Sequence, residues 1–175
     1  MKSNREVIAK TVLKHPGLRF HELKRETSLA NGTLQHHLTS LSNDHDISVV
    51  YMDKIPRYFS KEIEDNYTVI INRLRQNTTS RIIKSLLKND CMTFGQIVKE
   101  TKKSPGTVSV YKNMLLRDKI IEGNTDECEK CPEMINKIKY RIRNKSLIRN
   151  LVEEYGQSSL KKSADNLADV FLSIK

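Results

Sequence analysis

No run of apolar residues in this 175-residue chain approaches the roughly 20 that a bilayer-spanning helix needs. The opening stretch, MKSNREVIAK, has no apolar segment of signal-peptide type. Cysteine is scarce: three residues cannot build a disulfide scaffold and suit a reducing compartment. Together these absences predict an intracellular protein, cytoplasmic and, given its charge, nucleoid-associated. Motifs of common enzyme chemistry are missing as well. There is no phosphate-binding Gly-rich loop, no Gly-x-Ser-x-Gly elbow and no His-Glu-x-x-His pair. The expectation is a protein that is not an enzyme.

Positive charge is what the chain has in excess. Its 31 Lys and Arg face 21 Asp and Glu, a net charge of +10, while 37% hydrophobic residues suit a soluble globular protein. Such a balance favours a polyanionic partner, most often nucleic acid, over a generally solvated basic surface. The excess is uneven. Up to Gln76 there are 12 basic and 9 acidic residues, net +3; beyond it there are 19 and 12, net +7. From Lys137 to Arg149 the chain carries Lys137, Lys139, Arg141, Arg143, Lys145 and Arg149 with no acidic residue.

An internal repeat sets the architecture. Sliding the sequence by 74 positions puts Ile8 on Ile82, Lys10 on Lys84, Leu13 on Leu87 and Phe20 on Phe94. It also puts Glu26 on Glu100, Thr27 on Thr101, Gly32 on Gly106, Thr33 on Thr107, Leu41 on Leu115 and Asp44 on Asp118. The apolar pattern matches in between, as in Val12 with Leu86, Leu23 with Ile97 and Leu34 with Val108. A preserved apolar pattern is the mark of two copies of one unit.

Each unit reads as three helices and a hairpin. In the first, a helix near Arg5–Lys14 turns Val7, Ile8, Val12 and Leu13 inward and ends at HPG. A second helix starts near Phe20, and a third runs from about Asn31 to Asn43 on Leu34, Leu38 and Leu41. ISVVYMDKIPRYFS then reads as two strands around a Lys-Ile-Pro turn. In the second, the helices fall near Ser80–Lys88, Phe94–Thr101 and Pro105–Asp118, with strands near Ile120–Gly123 and Ile138–Arg143. Pro105 suits a first helical turn, where its missing N–H would be unpaired anyway.

Three helices followed by a hairpin make a winged helix-turn-helix. GTLQHHLTSL resembles the recognition-helix region of ArsR-like and related archaeal winged-helix regulators, and GTVSVYKNMLLRDKII resembles the same region running into its wing. The resemblance covers residues 5–60 and 79–143 and implies DNA-binding transcriptional control. The fold class expected is mainly α with small β-hairpins (α+β). Residues 1–61 and 78–144 form two tandem winged-helix domains, 62–77 a connecting helix and 145–175 C-terminal helices for packing or dimerisation.

The B-DNA major groove admits one α-helix and presents base edges that side chains can read. Helix phase turns Asn31, Thr33, Gln35, His36 and Thr39 toward such a groove in the first unit. Pro105, Thr107, Ser109, Val110 and Asn113 do so in the second. Gln35 and Asn31 can pair with adenine edges, and Thr33 and Thr107 can meet a phosphate or a thymine methyl. In KIKYRIR, alternation places Ile138, Tyr140 and Ile142 on the domain and Lys139, Arg141 and Arg143 on one outer face, as a wing tracking phosphates requires. Lys99, Lys102 and Lys103 can extend that track.

Adjacent His36 and His37 lie about 100° apart on a helix, so they cannot face one metal together. His36 reads as a groove or phosphate contact and His37 as a packing residue. Cys128 and Cys131, in ECEKCPE, are open to three readings: exposed thiols at a loop tip, one edge of a zinc site, or a redox pair. No other cofactor is expected. Ile63, Tyr67, Ile70, Ile71 and Leu74 predict the connecting helix, packing the two lobes against each other. SLIRNLVEEYG reads as a further helix. Leu160, Ala164, Leu167, Phe171 and Ile174 repeat at steps of four and three, a seam that docks within the chain or joins a homodimer through residues 145–175. Two functions stand at this stage: a regulator of double-stranded DNA, or a winged-helix protein-interaction module of a transcription or chromatin assembly.

Overall fold

Ser3 caps the first helix: its hydroxyl accepts from the Glu6 N–H at 3.3 Å, and α1 runs Asn4–Lys14. The computed structural model describes residues 3–125 and 137–155 and falls into two compact units, residues 1–72 and 73–175. In the first, α2 (Phe20–Thr27) and α3 (Asn31–Asn43) follow, then β1 (Ile47–Met52) and β2 (Ile55–Ser60). Their core is Ile8, Val12, Leu18, Leu23, Leu34, Leu38, Leu41, Ile47 and Tyr58. Burying these apolar side chains, at roughly 1.5–3 kcal/mol each, is what holds so small a unit together. Leu13 departs from the expected inner face. It is 46% exposed, because α1 buries only the Ile8–Val12 stripe.

The first hairpin turns one residue earlier than the sequence suggests. Asp53 and Lys54 form the turn, both with positive φ (51° and 65°), the handedness that matches strand twist in a two-residue loop. Pro56 therefore lies inside β2, opposite Tyr51. That pair sits one step from the turn-closing Met52–Ile55 pair, at a non-hydrogen-bonded position, where proline's missing N–H is not needed by the ladder. Tyr58 ties the ribbon to the helices. Its N–H donates to the Leu18 carbonyl at 3.0 Å, and its carbonyl accepts from Gly17 at 2.8 Å.

The second unit begins within α4 (Asp65–Arg75), which starts two residues after Ile63. It continues through α5 (Asn77–Asn89), β3 (Cys91–Thr93), α6 (Phe94–Thr101), α7 (Pro105–Arg117), β4 (Ile121–Asn124), β5 (Lys139–Ile142) and α8 (Lys145–Tyr155). The sheet order is β3-β5-β4, antiparallel throughout. The 74-residue offset reappears in the backbone. Ser28 and Lys102 end α2 and α6 in the left-handed region (φ 56° and 52°), and His45 and Lys119 do the same after α3 and α7 (59° and 57°). The Glu22 carboxylate accepts from the Arg19 N–H at 2.8 Å, and the Gln96 side-chain oxygen accepts from Thr93 at the same distance. Only Thr93 returns the bond to complete a capping box, its hydroxyl accepting from the Gln96 N–H; an arginine has no acceptor to offer.

The offset breaks at one informative place. Asp44 and Asp118 each cap the C-terminus of the third helix of their unit. Asp44 pairs with Arg5 of α1 at 2.7 Å, and the same guanidinium donates to Asp46. That hydrogen bond holds the Asp46 carboxyl below its usual range. In the second unit Thr79 stands where Arg5 would be. The arginine comes instead from the end of α4, with Arg73 Nε donating to Asp118 at 2.5 Å, and the Thr79 hydroxyl donating to the Arg73 carbonyl. The first pair is 39% and 49% exposed; the second is 6% and 11%.

The seam from Leu160 to Ile174 and the Cys128–Cys131 pair lie outside the described residues. The helix expected from SLIRNLVEEYG is α8, which buries Ile148 and Leu151.

Asp118→Asn should lower the stability of the second unit by about 3 kcal/mol, because the nearly buried Arg73 charge loses the carboxylate that faces it. Asp44→Asn, at the half-exposed counterpart, should cost far less. Urea unfolding of the two variants checks the contrast, and equal losses would refute it.

Candidate nucleic-acid interface

The sequence of α3 separates into two faces. Leu34, Leu38 and Leu41 are fully buried, while Asn31, Gln35, His36 and Thr39 are exposed and Thr33 is half-buried. The Gln35 amide donates to the Thr39 hydroxyl at 3.4 Å, so these two stand side by side one turn apart. His36 and His37 rings meet edge-on with centroids 5.3 Å apart; His36 is exposed and His37 half-buried. No cluster of three or more His, Cys, Asp or Glu suited to a metal ion exists among the described residues. Between α3 and the first hairpin runs an open groove lined by Gln35, Thr39, Val49, Tyr51 and Pro56.

On α7 the buried stripe is Val108 and Leu115, and Pro105, Val110 and Asn113 are exposed. Thr107 and Ser109 are half-buried. The Thr107 hydroxyl lies 2.8 Å from the Ser104 hydroxyl, which also accepts from the Thr107 N–H, so it belongs to the helix cap. Position 112 is where the repeat changes chemistry. Its counterpart Leu38 is a core residue, but Lys112 folds its stem against the unit and sets its ammonium 4.9 Å from the Tyr140 ring centre and 5.6 Å from that of Phe94. It also donates to the Tyr140 hydroxyl at 3.2 Å. This cation fastens α7 to β5.

The second wing differs from the expected cationic row. Lys139 is buried at 6% exposure, and Ile138, just ahead of β5, is 52% exposed. Lys139 shares its face of the middle strand β5 with its register partners, Thr93 on β3 and Asn124 on β4. The first unit has the same feature: Arg57, one residue before Tyr58, is buried and donates to the Gly17 carbonyl at 2.8 Å. Arg141 and Arg143 do face outward, but both reach Glu122 on the neighbouring strand, at 2.6 and 3.6 Å. The outer face therefore carries two cations and one anion.

Lys102 is exposed and Lys103 half-buried at the turn before α7. In the first unit the same turn forms an open cleft lined by His21, Lys24, Arg25, Ser28 and Leu29. Arg25 is the repeat counterpart of Lys99, a signal that the sequence already carried. Gly32 and Gly106 occupy the first turn of α3 and α7, and a Cβ at either would meet nothing within 4 Å. Internal packing does not require glycine at these positions.

A family model described as an N-terminal HTH domain matches residues 2–68, and one described as bacterial regulatory protein, arsR family, matches residues 77–121. No curated protein matches the chain. Among solved structures, the DIP2311 protein from Corynebacterium diphtheriae is similar at 8% identity and a TM-score of 0.27, over 79% of this chain and 26% of that one. This chain thus corresponds to about a quarter of that structure, and so weak a likeness says nothing of function.

Lys112→Ala should destabilise the second unit by about 1–2 kcal/mol, through the loss of the packed stem and the ring contacts. Lys112→Leu should recover most of that loss, because leucine fills the equivalent place in the first unit. Thermal or urea unfolding distinguishes this from a surface lysine, for which neither change matters.

Proposed function

We propose that this chain, which carries two helix-turn-helix domains in tandem, the second of ArsR type, is a winged-helix DNA-binding regulator that reads double-stranded DNA with both recognition helices. In this reading α3 and α7 enter the major groove, and the second wing and the two helix-turn-helix turns follow the phosphates. The observation that carries it is the one-sided anchoring of α3. Leucines are buried along one stripe, and Asn31, Gln35, His36 and Thr39 are left bare on the other. Asn31 and Gln35 have the paired donor and acceptor that recognise an adenine edge.

The glycines support the same reading. Glycine in the first turn weakens a helix, and neither Gly32 nor Gly106 is needed inside the unit. A bare backbone there allows an external body to come close. Lys24, Arg25, Lys99, Lys102, Lys103, Arg141 and Arg143 supply the sequence-independent attraction. Two readers in one chain can meet two groove segments without a dimer; pairing through residues 145–175 would double that number. Such a protein works in the cytoplasm, on the nucleoid. Among the described residues no helix is long and apolar enough to cross a membrane.

A second reading, as a protein-interaction module, draws on the first wing, where Tyr51 is 72% and Ile55 36% exposed. Selection of bound duplexes from a random DNA pool separates the two. A reproducible motif supports base reading, and the absence of any retained duplex at low salt removes it.

Two variants test the assigned contacts. Replacing Arg141 and Arg143 together by Ala should flatten the salt dependence of DNA affinity by about two units, while Glu122→Gln, which removes the negative charge that both cations reach, should steepen it. Opposite or null shifts would remove the wing from the interface. Gly106→Ala should stabilise α7 by up to about 1 kcal/mol yet weaken DNA binding about tenfold, because the added methyl stands where the duplex must approach. A variant that is more stable and binds equally well would show that α7 does not approach DNA at this point.

A further inference from the structure

Aligning the two recognition helices by the 74-residue repeat pairs unlike chemistry on the outer face. Asn31 is matched by Pro105, Gln35 by Ser109 and His36 by Val110, while Gly32 and Gly106, and Thr33 and Thr107, are alike near the N-terminal end. The α3 set is rich in hydrogen-bonding groups. The α7 set replaces its longest polar side chains with short or apolar ones, and Val110, at the centre, is 61% exposed.

Val110 has no role that the second unit itself explains. It is outside the buried stripe of Val108 and Leu115, and a β-branched residue weakens an exposed helix position. Gly106 lies one turn before it on the same face, with open space where a side chain would stand. The Thr107 hydroxyl is turned into the cap with Ser104. The surface around Val110 thus sets an exposed apolar side chain beside bare backbone. The one apolar group that base edges display in the major groove is the C5 methyl of thymine.

We propose that the two helices read different half-sites: α7 recognises a thymine methyl through Val110, and α3 recognises purine edges through Gln35 and His36. This rests on the DNA-reading function above and adds to it the composition of the site, which is asymmetric rather than a palindrome or a direct repeat. In α3, Gly32 leaves the same bare backbone before His36, where a ring N–H can donate to a purine acceptor instead.

The test starts from the duplex that the full chain selects from a random pool. Each thymine in it is then replaced singly by deoxyuridine, which removes only the methyl. At one thymine the wild-type protein should lose about fourfold in affinity, the effect of withdrawing one methyl from contact. Val110→Ala should bind the original duplex about fourfold more weakly or worse and should no longer distinguish thymine from deoxyuridine there. Its melting temperature, measured alongside, should not fall, since the residue is exposed. A selected motif with two identical halves would overturn the proposal, as would one in which no deoxyuridine substitution separates wild type from Val110→Ala; DNA reading itself would survive both. A pool that yields no motif would remove sequence reading and this inference together.

Discussion

Each unit depends on fastening one short helix from a single side. The third helix must bury enough to be rigid, yet its opposite face has to remain clear of the protein. In α3 three leucines meet this constraint, and the surrounding elements follow from it. The helix before it carries the side-chain cap at Glu22, the left-handed Ser28 turns the chain toward α3, and the left-handed His45 sends it into the ribbon. In α7 the inner stripe is thinner, and two polar devices make up the difference: the Lys112 ammonium between two aromatic rings, and Asp118 on Arg73. Apolar burial is undirected, whereas these polar contacts have geometry, so the second unit exchanges some bulk attraction for orientation.

Much of this was legible in the sequence, because the repeat samples each position twice. Leu34 and Val108, or Leu41 and Leu115, identify the inner face more securely together than either helix would alone. Periodicity also located α2, α3, α6 and α7 to within a residue or two. What it missed depends on partners distant in sequence. Strand alternation placed Lys139 outside because it assigns a face and not the degree of cover, and Lys139 is buried on the face where Arg141 is exposed. It could not show that Glu122 would stand across from Arg141, since that depends on register, nor that Thr79 would exchange roles with an arginine supplied by α4. Leu13 looked interior because a helix of mixed polarity leaves the width of its buried stripe undefined.

The same comparison separates what the two units share from what distinguishes them. The left-handed turns, the C-capping aspartates and the first-turn glycines recur, and they determine how a helix is held and how closely it can be approached. Of the side chains turned outward, only Thr33 and Thr107 recur. The hairpins do not: the first is closed by two residues and exposes Tyr51 and Ile55, and the second exposes Arg141 and Arg143 beside Glu122. A common frame with unlike surfaces is what a duplicated unit needs if its copies are to take on separate tasks.

The order of strands in the second unit also governs what the chain can accommodate. Leu18 and Met92 are 74 positions apart, but the tyrosines they pair with, Tyr58 and Tyr140, are 82 apart, so the second wing is eight residues longer. In the first hairpin the two-residue turn itself sets which residues face each other, and adding one would shift the whole ribbon. In the second, β5 takes its alignment from β3 on the far side, through Cys91, Met92 and Thr93. The connection between β4 and β5 is thereby relieved of any duty to keep the strands in step. Sequence can be inserted, removed or exchanged there while α7 keeps its seat, which makes that connection the place where this fold can acquire a new element without rebuilding the rest of the unit.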